Sequence, residues 1–548
     1  MFVHVHTATV RGIDAFQVRV EVNLAPGLPS FAVVGLAQGS VREGRERVGA
    51  ALRNSGFGLP SRRITVNLAP ADVRKAGTAF DLPIAVGILA AAGSVPVESL
   101  TGVGFVGELG LDGAIRPVPG VLSVALACRR QGLSRLVVPA ANLAEARLVE
   151  DVEVVEGHTL EQVVRLLAGE AEGCAPGGVE ASAAESPSAA APDSSAEGQT
   201  STDRRNPTGD VSGAVVAQSG EARPRATPLD LADVRGQETA KRALEISAAG
   251  GHNLLMVGPP GAGKTMLARR LPGILPPLKR DEAIEVAQVH SVAGLLLDGA
   301  LPRSRPFRAP HHSISYAGLH GGGSPLRPGE VSLAHRGVLF LDELPEFRRD
   351  ALEMLRQPLE EGCVRLSRAG SWLRFPSRIL LVAAMNPCPC GFHGDASDRC
   401  TCDPGTIARY RARVSGPLLD RLDLRVTVPP VPVAELVGSG RGEPSTVVSE
   451  RVVAARGRQT RRFEDHQRIR SNADMTPALL RRRCRVSDQG HELLLTATHR
   501  SSLSARGVHR VLRVARTIAD LEGSTSVGRS HVAEALHFRS VAARGRAA

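Results

Sequence analysis

The stretch Gly258-Pro259-Pro260-Gly261-Ala262-Gly263-Lys264-Thr265 decides the fold. It fits G-x-x-x-x-G-K-[ST], a glycine loop that cradles phosphate groups. Asn253 to Val257, before it, reads as a short buried strand; Thr265 to Leu271, after it, reads as a helix. Glycines let backbone N–H groups turn inward around an anion, and the helix N-terminus adds partial positive charge. Lys264 is placed to reach the β- and γ-phosphates of ATP, and the Thr265 hydroxyl to ligate Mg²⁺. Strand, loop and helix in that order imply an open α/β sheet.

Two further apolar runs fit the same sheet. Gly337 to Leu341 ends in Asp342-Glu343, delivering two carboxylates where open α/β sheets place their ligands. Asp342 is the expected Mg²⁺ partner, and Glu343 the group that orients the attacking water. Ile379 to Met385 ends in Asn386, an amide suited to sensing the γ-phosphate or lytic water. Between them, Gly362 to Pro376 alternates polar and apolar residues around Arg368-Ala369-Gly370 and reads as a β-hairpin. Arg365, Arg368 and Arg374 on it are candidates for gripping DNA phosphates. Trp372, the one tryptophan, either stacks on a base or packs into the core.

Cys388-Pro389-Cys390 and Cys400-Thr401-Cys402 place two C-x-C pairs nine residues apart. Four thiolates suit one tetrahedral, structural Zn²⁺, with His393 a possible substitute; free thiols and redox chemistry are the alternatives. The pair His311-His312 reads as structural rather than metal-binding.

The 548 residues suffice for two to four domains, and 43% hydrophobic with 22% charged residues is ordinary for soluble proteins. No apolar run approaches the roughly 18 residues of a membrane span. The start lacks the basic and apolar regions of a signal peptide, so a cytoplasmic protein is expected. Net charge is +11, and of 67 cations only four are lysine. Residues 441–548 carry 21 Arg against 10 acidic residues, so the whole formal excess lies there. Such asymmetry points to a polyanion partner.

Residues 1–168 alternate short strands (18–22, 31–34, 64–68, 104–107) with helices (41–52, 83–92, 121–130), which predicts an α/β module. Residues 169–226 are rich in Ala, Ser, Gly and Pro with no aromatic residue, and read as a disordered linker. An ATPase core follows over 227–432, with a Cys-rich insertion at 387–404, and an Arg-rich helical lid over 433–548.

Two resemblances sharpen this reading. Lys75 to Leu82 and Gly107 to Gly120 resemble the proteolytic domain of Lon proteases. That family uses a Ser–Lys dyad, and the matching positions here hold Ala79 and Leu122. The resemblance therefore implies the Lon-like fold without peptidase activity, serving as a structural or assembly module or as a DNA contact. Gly236-Gln237 with Lys241 to Leu244, the motifs above, and Gly416 to Leu424 resemble AAA+ ATPases. Arg305 to His312, Gly321 to Ser324, Pro328 to Gly337, Leu341 to Glu346, Leu355 to Glu360 and Met385 to Gly391 narrow the resemblance to the Mg-chelatase-like AAA+ ATPases of the YifB/ComM family. It implies an ATP- and Mg²⁺-dependent hexameric helicase that drives branch migration of DNA. Within it, Arg421 matches an arginine finger and Arg506 a second sensor, with Arg510 the fallback. A chelatase-type motor subunit acting on a tetrapyrrole is the alternative; the basic lid and the Lon-like front end favour DNA.

Overall fold

The computed structural model describes residues 1–170 and 229–540, apart from 37–38, 73–74, 76, 297–298, 324–325, 369–370, 395–398, 433–441, 467–468 and 502. All but the first two residues of the predicted linker, and the start of the predicted lid, thus lie outside the described residues.

The first module is built on a long hairpin. Strands β1 (Phe2–Arg11) and β2 (Asp14–Ala25) pair antiparallel along their length. Side chains alternate across a strand. Val3 and Val5 therefore join one apolar cluster, with Leu82, Ile84 and Ile88. Ala8 and Val10 join another, with Val121, Leu122 and Val124. The first cluster belongs to α2 (Asp81–Ala92), apolar nearly all round and buried for all but its last residue; the second belongs to α3 (Val121–Arg130). The remaining strands are β3 (Ser30–Val34), β4 (Arg63–Ala69), β5 (Val103–Phe105), β6 (Arg135–Pro139) and β7 (Glu153–Gly157), with α1 (Gly39–Asn54) after β3, α4 (Leu143–Ala146) after β6 and α5 (Leu160–Leu167) after β7. Among the described residues the sheet order is β3-β4-β2-β1-β5-β6-β7. The expected strands and helices of this region are present; β1, β6 and β7 were not foreseen.

The second module has a parallel five-stranded sheet. Its strands are β8 (Leu254–Val257), β9 (Phe307–Arg308), β10 (Val338–Leu341), β13 (Leu380–Met385) and β14 (Leu424–Thr427), in the order β9-β10-β13-β8-β14. All four residues of β10 and all six of β13 are buried, as expected for strands covered on both faces. Each such aliphatic side chain contributes about 1.5–3 kcal/mol of transfer free energy. The predicted hairpin is present as β11 (Cys363–Arg368) and β12 (Ser371–Pro376), with Arg365 opposite Arg374 and Ser367 opposite Trp372.

The C-terminal region is helical, as expected: Ser445–Arg462, Pro477–Arg483, Asp488–Ser501, Ala505–Leu521 and Arg529–Ser540. Its core is continuous with that of helix α6 (Glu238–Gly250) of the second module, since Leu244 and Ile246 share a cluster with Val452, Val511 and Ile518. At its centre Asp520, fully buried, accepts from Arg462, Arg516 and Asn472.

The first module packs on helix α8 (Arg280–Val292) of the second. Ile284, Ala287, Leu296 and Leu301 join the cluster around α3. The Glu145 carboxylate accepts from the Leu122 N–H (2.8 Å), the Asn142 amide (3.2 Å) and the Ser291 hydroxyl. The Gly120 N–H donates to the Ser291 carbonyl at 3.1 Å.

Candidate active site

Three parallel strands end side by side, so the residues just past their carboxyl ends converge. Val257 of β8 is in register with Met385 of β13, and Leu341 of β10 with Ala383 of β13. The glycine loop, Asp342-Glu343 and Asn386 therefore meet at one sheet edge. The loop is tight: a Cβ on Gly258 would lie 2.1 Å from the Val428 carbonyl oxygen, so only glycine fits there. Gln237, in the left-handed region at φ 60°, ties the loop to the end of β14. Its Nε2 donates to the Ala262 carbonyl (3.3 Å) and the Pro429 carbonyl (2.6 Å).

Lys264 opens helix α7 (Lys264–Arg270) and is nearly buried. Its ammonium donates to the carbonyls of Gly258 (2.8 Å) and Pro259 (2.9 Å) and to the Asn386 Oδ1 (3.1 Å). Burial lowers its pKa, against the pull of Asp342 and Glu343. The Thr265 hydroxyl donates to the Asp342 Oδ2 at 2.5 Å. A hydroxyl and a carboxylate oxygen in contact make a hard-oxygen donor pair, which suits Mg²⁺. Glu343 sits at φ 52°, with its Oε2 3.0 Å from the His312 Nδ1. Lys264, Thr265, Asp342, Glu343 and Asn386 are thus brought together as expected. His312 and Gln237 belong with them and were not assigned to the site from the sequence. Gln237 stood in a recognised Gly-Gln opening, but nothing in the spacing linked His312 to Glu343.

Arg421 and Arg506 lie elsewhere. Both line a cavity of about 1380 Å³ bordered by Gly251, Asn253, Gly337, Ile379 and Asp423, the residues that lead into the same strands. This is the amino end of the parallel sheet, opposite the glycine loop. Arg421 is held by Glu360 and donates to the Pro417 carbonyl. Arg510 lies beside Asp423 (3.6 Å) and Asp420 (3.8 Å). Buried guanidinium nitrogens of Arg421, Arg456, Arg510 and Arg513 lack an acceptor there. Burial also lowers the pKa of Arg513 and takes that of Arg456 down to about 10.

The hairpin presents two different faces. Val364, Leu366 and Phe375 are buried with Leu339 and Leu341, whereas Arg365, Trp372 and Arg374 face outward. Trp372 is 67% exposed, which overturns the alternative that it packs into the core. Arg365 pairs with Glu361 at 2.9 Å. Arg368 is in register with Ser371, and its side chain lies outside the described residues.

The sulfurs of Cys388, Cys390, Cys400 and Cys402 all lie within 4.8 Å of one another. His393 is exposed and lies outside the group; only its backbone N–H takes part, donating to the Cys388 Sγ (3.3 Å). Its expected role as a substitute ligand is therefore corrected. The Phe392 N–H holds the Cys390 thiol down at about 6.

Comparisons with known proteins cover the chain almost end to end. Residues 230–436 match the family described as magnesium chelatase, subunit ChlI; residues 20–142 match subunit ChlI of Mg-chelatase; residues 442–539 match its C-terminal region. An uncharacterized protein of Mycobacterium tuberculosis is 44% identical over 540 residues, 98% of each chain. The competence protein ComM of Haemophilus influenzae is 43% identical over 538 residues, 98% of this chain and 97% of its own. The YifB protein of Escherichia coli is 40% identical over the same length and shares.

Proposed function

Because the chain belongs to the YifB/ComM family of Mg-chelatase-like AAA+ ATPases, we propose that it is an ATP-driven motor that moves DNA as a homohexameric ring. The observation that carries this reading is the split of the hydrolytic machinery between opposite ends of one sheet. Phosphate, metal and water ligands gather at the carboxyl end, while arginines with unmet donors line a cavity at the amino end. One subunit cannot bring both ends to one nucleotide; a head-to-tail neighbour can. Repetition of such a heterologous contact closes a ring when the rotation between neighbours divides a full turn.

At each seam Lys264 and the loop amides hold the triphosphate. Thr265 and Asp342 would hold Mg²⁺, which neutralises charge on the β- and γ-oxygens when bound. Glu343, steadied by His312, orients the water, and Asn386 links the γ-phosphate position to Lys264. Arg421 and Arg506 of the next protomer stabilise the charge that spreads during cleavage. The outward hairpin face, with Arg365, Trp372 and Arg374, grips DNA in the ring pore, and Arg368 adds a cation near the hairpin tip. The relative named for competence supports branch migration during recombination or DNA uptake as the setting. The first module, Lon-like by its motifs, acts as a non-proteolytic assembly piece: Ala79 packs against the apolar cluster that buries Leu122, leaving neither nucleophile nor base. No described helix is long and apolar enough to cross a membrane.

The test is the ATPase rate of the full chain with and without single-stranded, duplex and four-way-junction DNA, repeated across salt. DNA should stimulate hydrolysis, and binding should weaken steeply with salt as phosphate contacts are screened. Full-speed turnover by a monomer, indifferent to any DNA, would overturn the reading.

A further inference from the structure

We propose that Cys388, Cys390, Cys400 and Cys402 hold one Zn²⁺, and that this metal knuckle is the clamp that sets the glycine loop and Asn386 for nucleotide binding.

The geometry of the sulfurs points to one shared ion. Four thiolates each about 2.3 Å from a zinc ion stand about 3.8 Å apart at the corners of a tetrahedron. Here Cys388 Sγ lies 3.3 Å from Cys390 Sγ and 3.8 Å from Cys400 Sγ, and Cys390 and Cys400 are 3.7 Å apart. None of the four is in a disulfide. Thiols are weak hydrogen-bond partners, so mutual S–H contacts alone give little reason to gather four. The backbone N–H of His393, aimed at Cys388 Sγ, is the kind of outer contact that orients a metal-bound thiolate. An all-thiolate shell favours zinc over the hard cations that the nucleotide site takes.

The coupling arises from where the knuckle sits. Cys388, fully buried, comes two residues after Asn386, whose side chain accepts from Lys264. Gly391, at φ 90°, lies directly against the glycine loop: a Cβ there would be 2.4 Å from Pro260 Cδ and 2.8 Å from its Cγ. Arg411 closes the other side, donating to the Pro387 carbonyl at 3.2 Å. The knuckle therefore touches the loop at Pro260 and fixes the strand end that carries Asn386. The sequence between the two C-x-C pairs, Gly391 to Arg399, is mostly polar, with Phe392 its one large apolar residue. The Gly391 N–H donates to the Cys388 carbonyl at 3.0 Å, and a metal joining the two pairs would fix that turn under Pro260.

The inference rests on the nucleotide site formed by the glycine loop, but its readouts need neither hydrolysis nor DNA. Metal analysis of full-length protein purified without chelator should find about one zinc per chain. Removing it with a zinc-selective chelator should weaken binding of a fluorescent ATP analogue on the order of tenfold or more, and zinc added back should restore it. Gly391→Ala should keep the metal yet bind the analogue more weakly. Cys400→Ser with Cys402→Ser should lose both metal and affinity. Absence of metal from the wild-type chain would overturn the site. Unchanged affinity in the stripped protein, or in Gly391→Ala, would overturn the clamp. Failure of the metal-loaded wild type to bind the analogue would sink the nucleotide-site reading instead, while the metal count would stand.

Discussion

In the proposed mechanism, Glu343 is the residue on which hydrolysis turns. Its left-handed backbone costs a non-glycine residue about 1–3 kcal/mol, and the turn it starts is tied by the Glu346 N–H donating to its carbonyl at 2.8 Å. That conformation leaves the carboxylate half-exposed beside Asp342, with His312 on its Oε2. Replacing Glu343 by Gln keeps the shape and removes the ability to polarise water. Phosphate release should fall roughly 10²–10⁴-fold, while binding of a fluorescent ATP analogue persists. Loss of binding in parallel would mean the residue supports the fold rather than the reaction. Much of this site was legible in the residues themselves. Gly258 to Thr265 has a spacing set by phosphate geometry, and Asp342-Glu343 and Asn386 each close an apolar run. His312 was not legible, because its partner is 31 positions away and only the sheet brings them together.

Among the elements, the β11–β12 hairpin shows how alternation separates packing from function. Val364, Leu366 and Phe375 bind it to the core under the parallel sheet, so its outward residues are not needed to hold it. Trp372 stands out from that surface across from Ser367, with Arg374 two residues on. Stacking on a base contributes about 1–3 kcal/mol, so Trp372→Ala should lower affinity for single-stranded DNA on the order of ten- to a hundredfold and abolish DNA stimulation of the ATPase. Basal hydrolysis should be unchanged; an equal fall in both rates would point to damage to the sheet instead. Period-two alternation made this hairpin readable, as it did β2 and β4. It failed for β1, where residues buried on both faces blur the alternation, and for β6, whose Leu136, Val137 and Val138 form a continuous apolar run. Such runs are buried on both sides and carry no facing signal.

At the scale of the whole molecule, the proposed ring would have each protomer serve two nucleotides, one at each end of its sheet. Arg421 and Arg506 were found in the sequence by the motifs around them, but their place opposite the glycine loop was not. It depends on how the lid helices fold back onto α6, which local pattern does not encode. This arrangement makes a prediction that no monomeric mechanism shares. Arg421→Ala alone should lose on the order of 10³-fold or more of its hydrolysis rate, the scale of an arginine finger, while keeping nucleotide affinity. Glu343→Gln alone is inactive for a different reason. Mixed in equal amounts and allowed to exchange subunits, the two defects are complementary. Where an Arg421→Ala protomer offers its intact water site to a Glu343→Gln neighbour that still carries Arg421, the seam is whole. About a quarter of the seams in a random mixed ring meet this condition, so hydrolysis should return well above the sum of the separate proteins. The return should vanish on dilution below the concentration at which rings persist. If mixtures stay as inactive as their components while rings demonstrably exchange, Arg421 serves its own protomer and the shared-seam account fails.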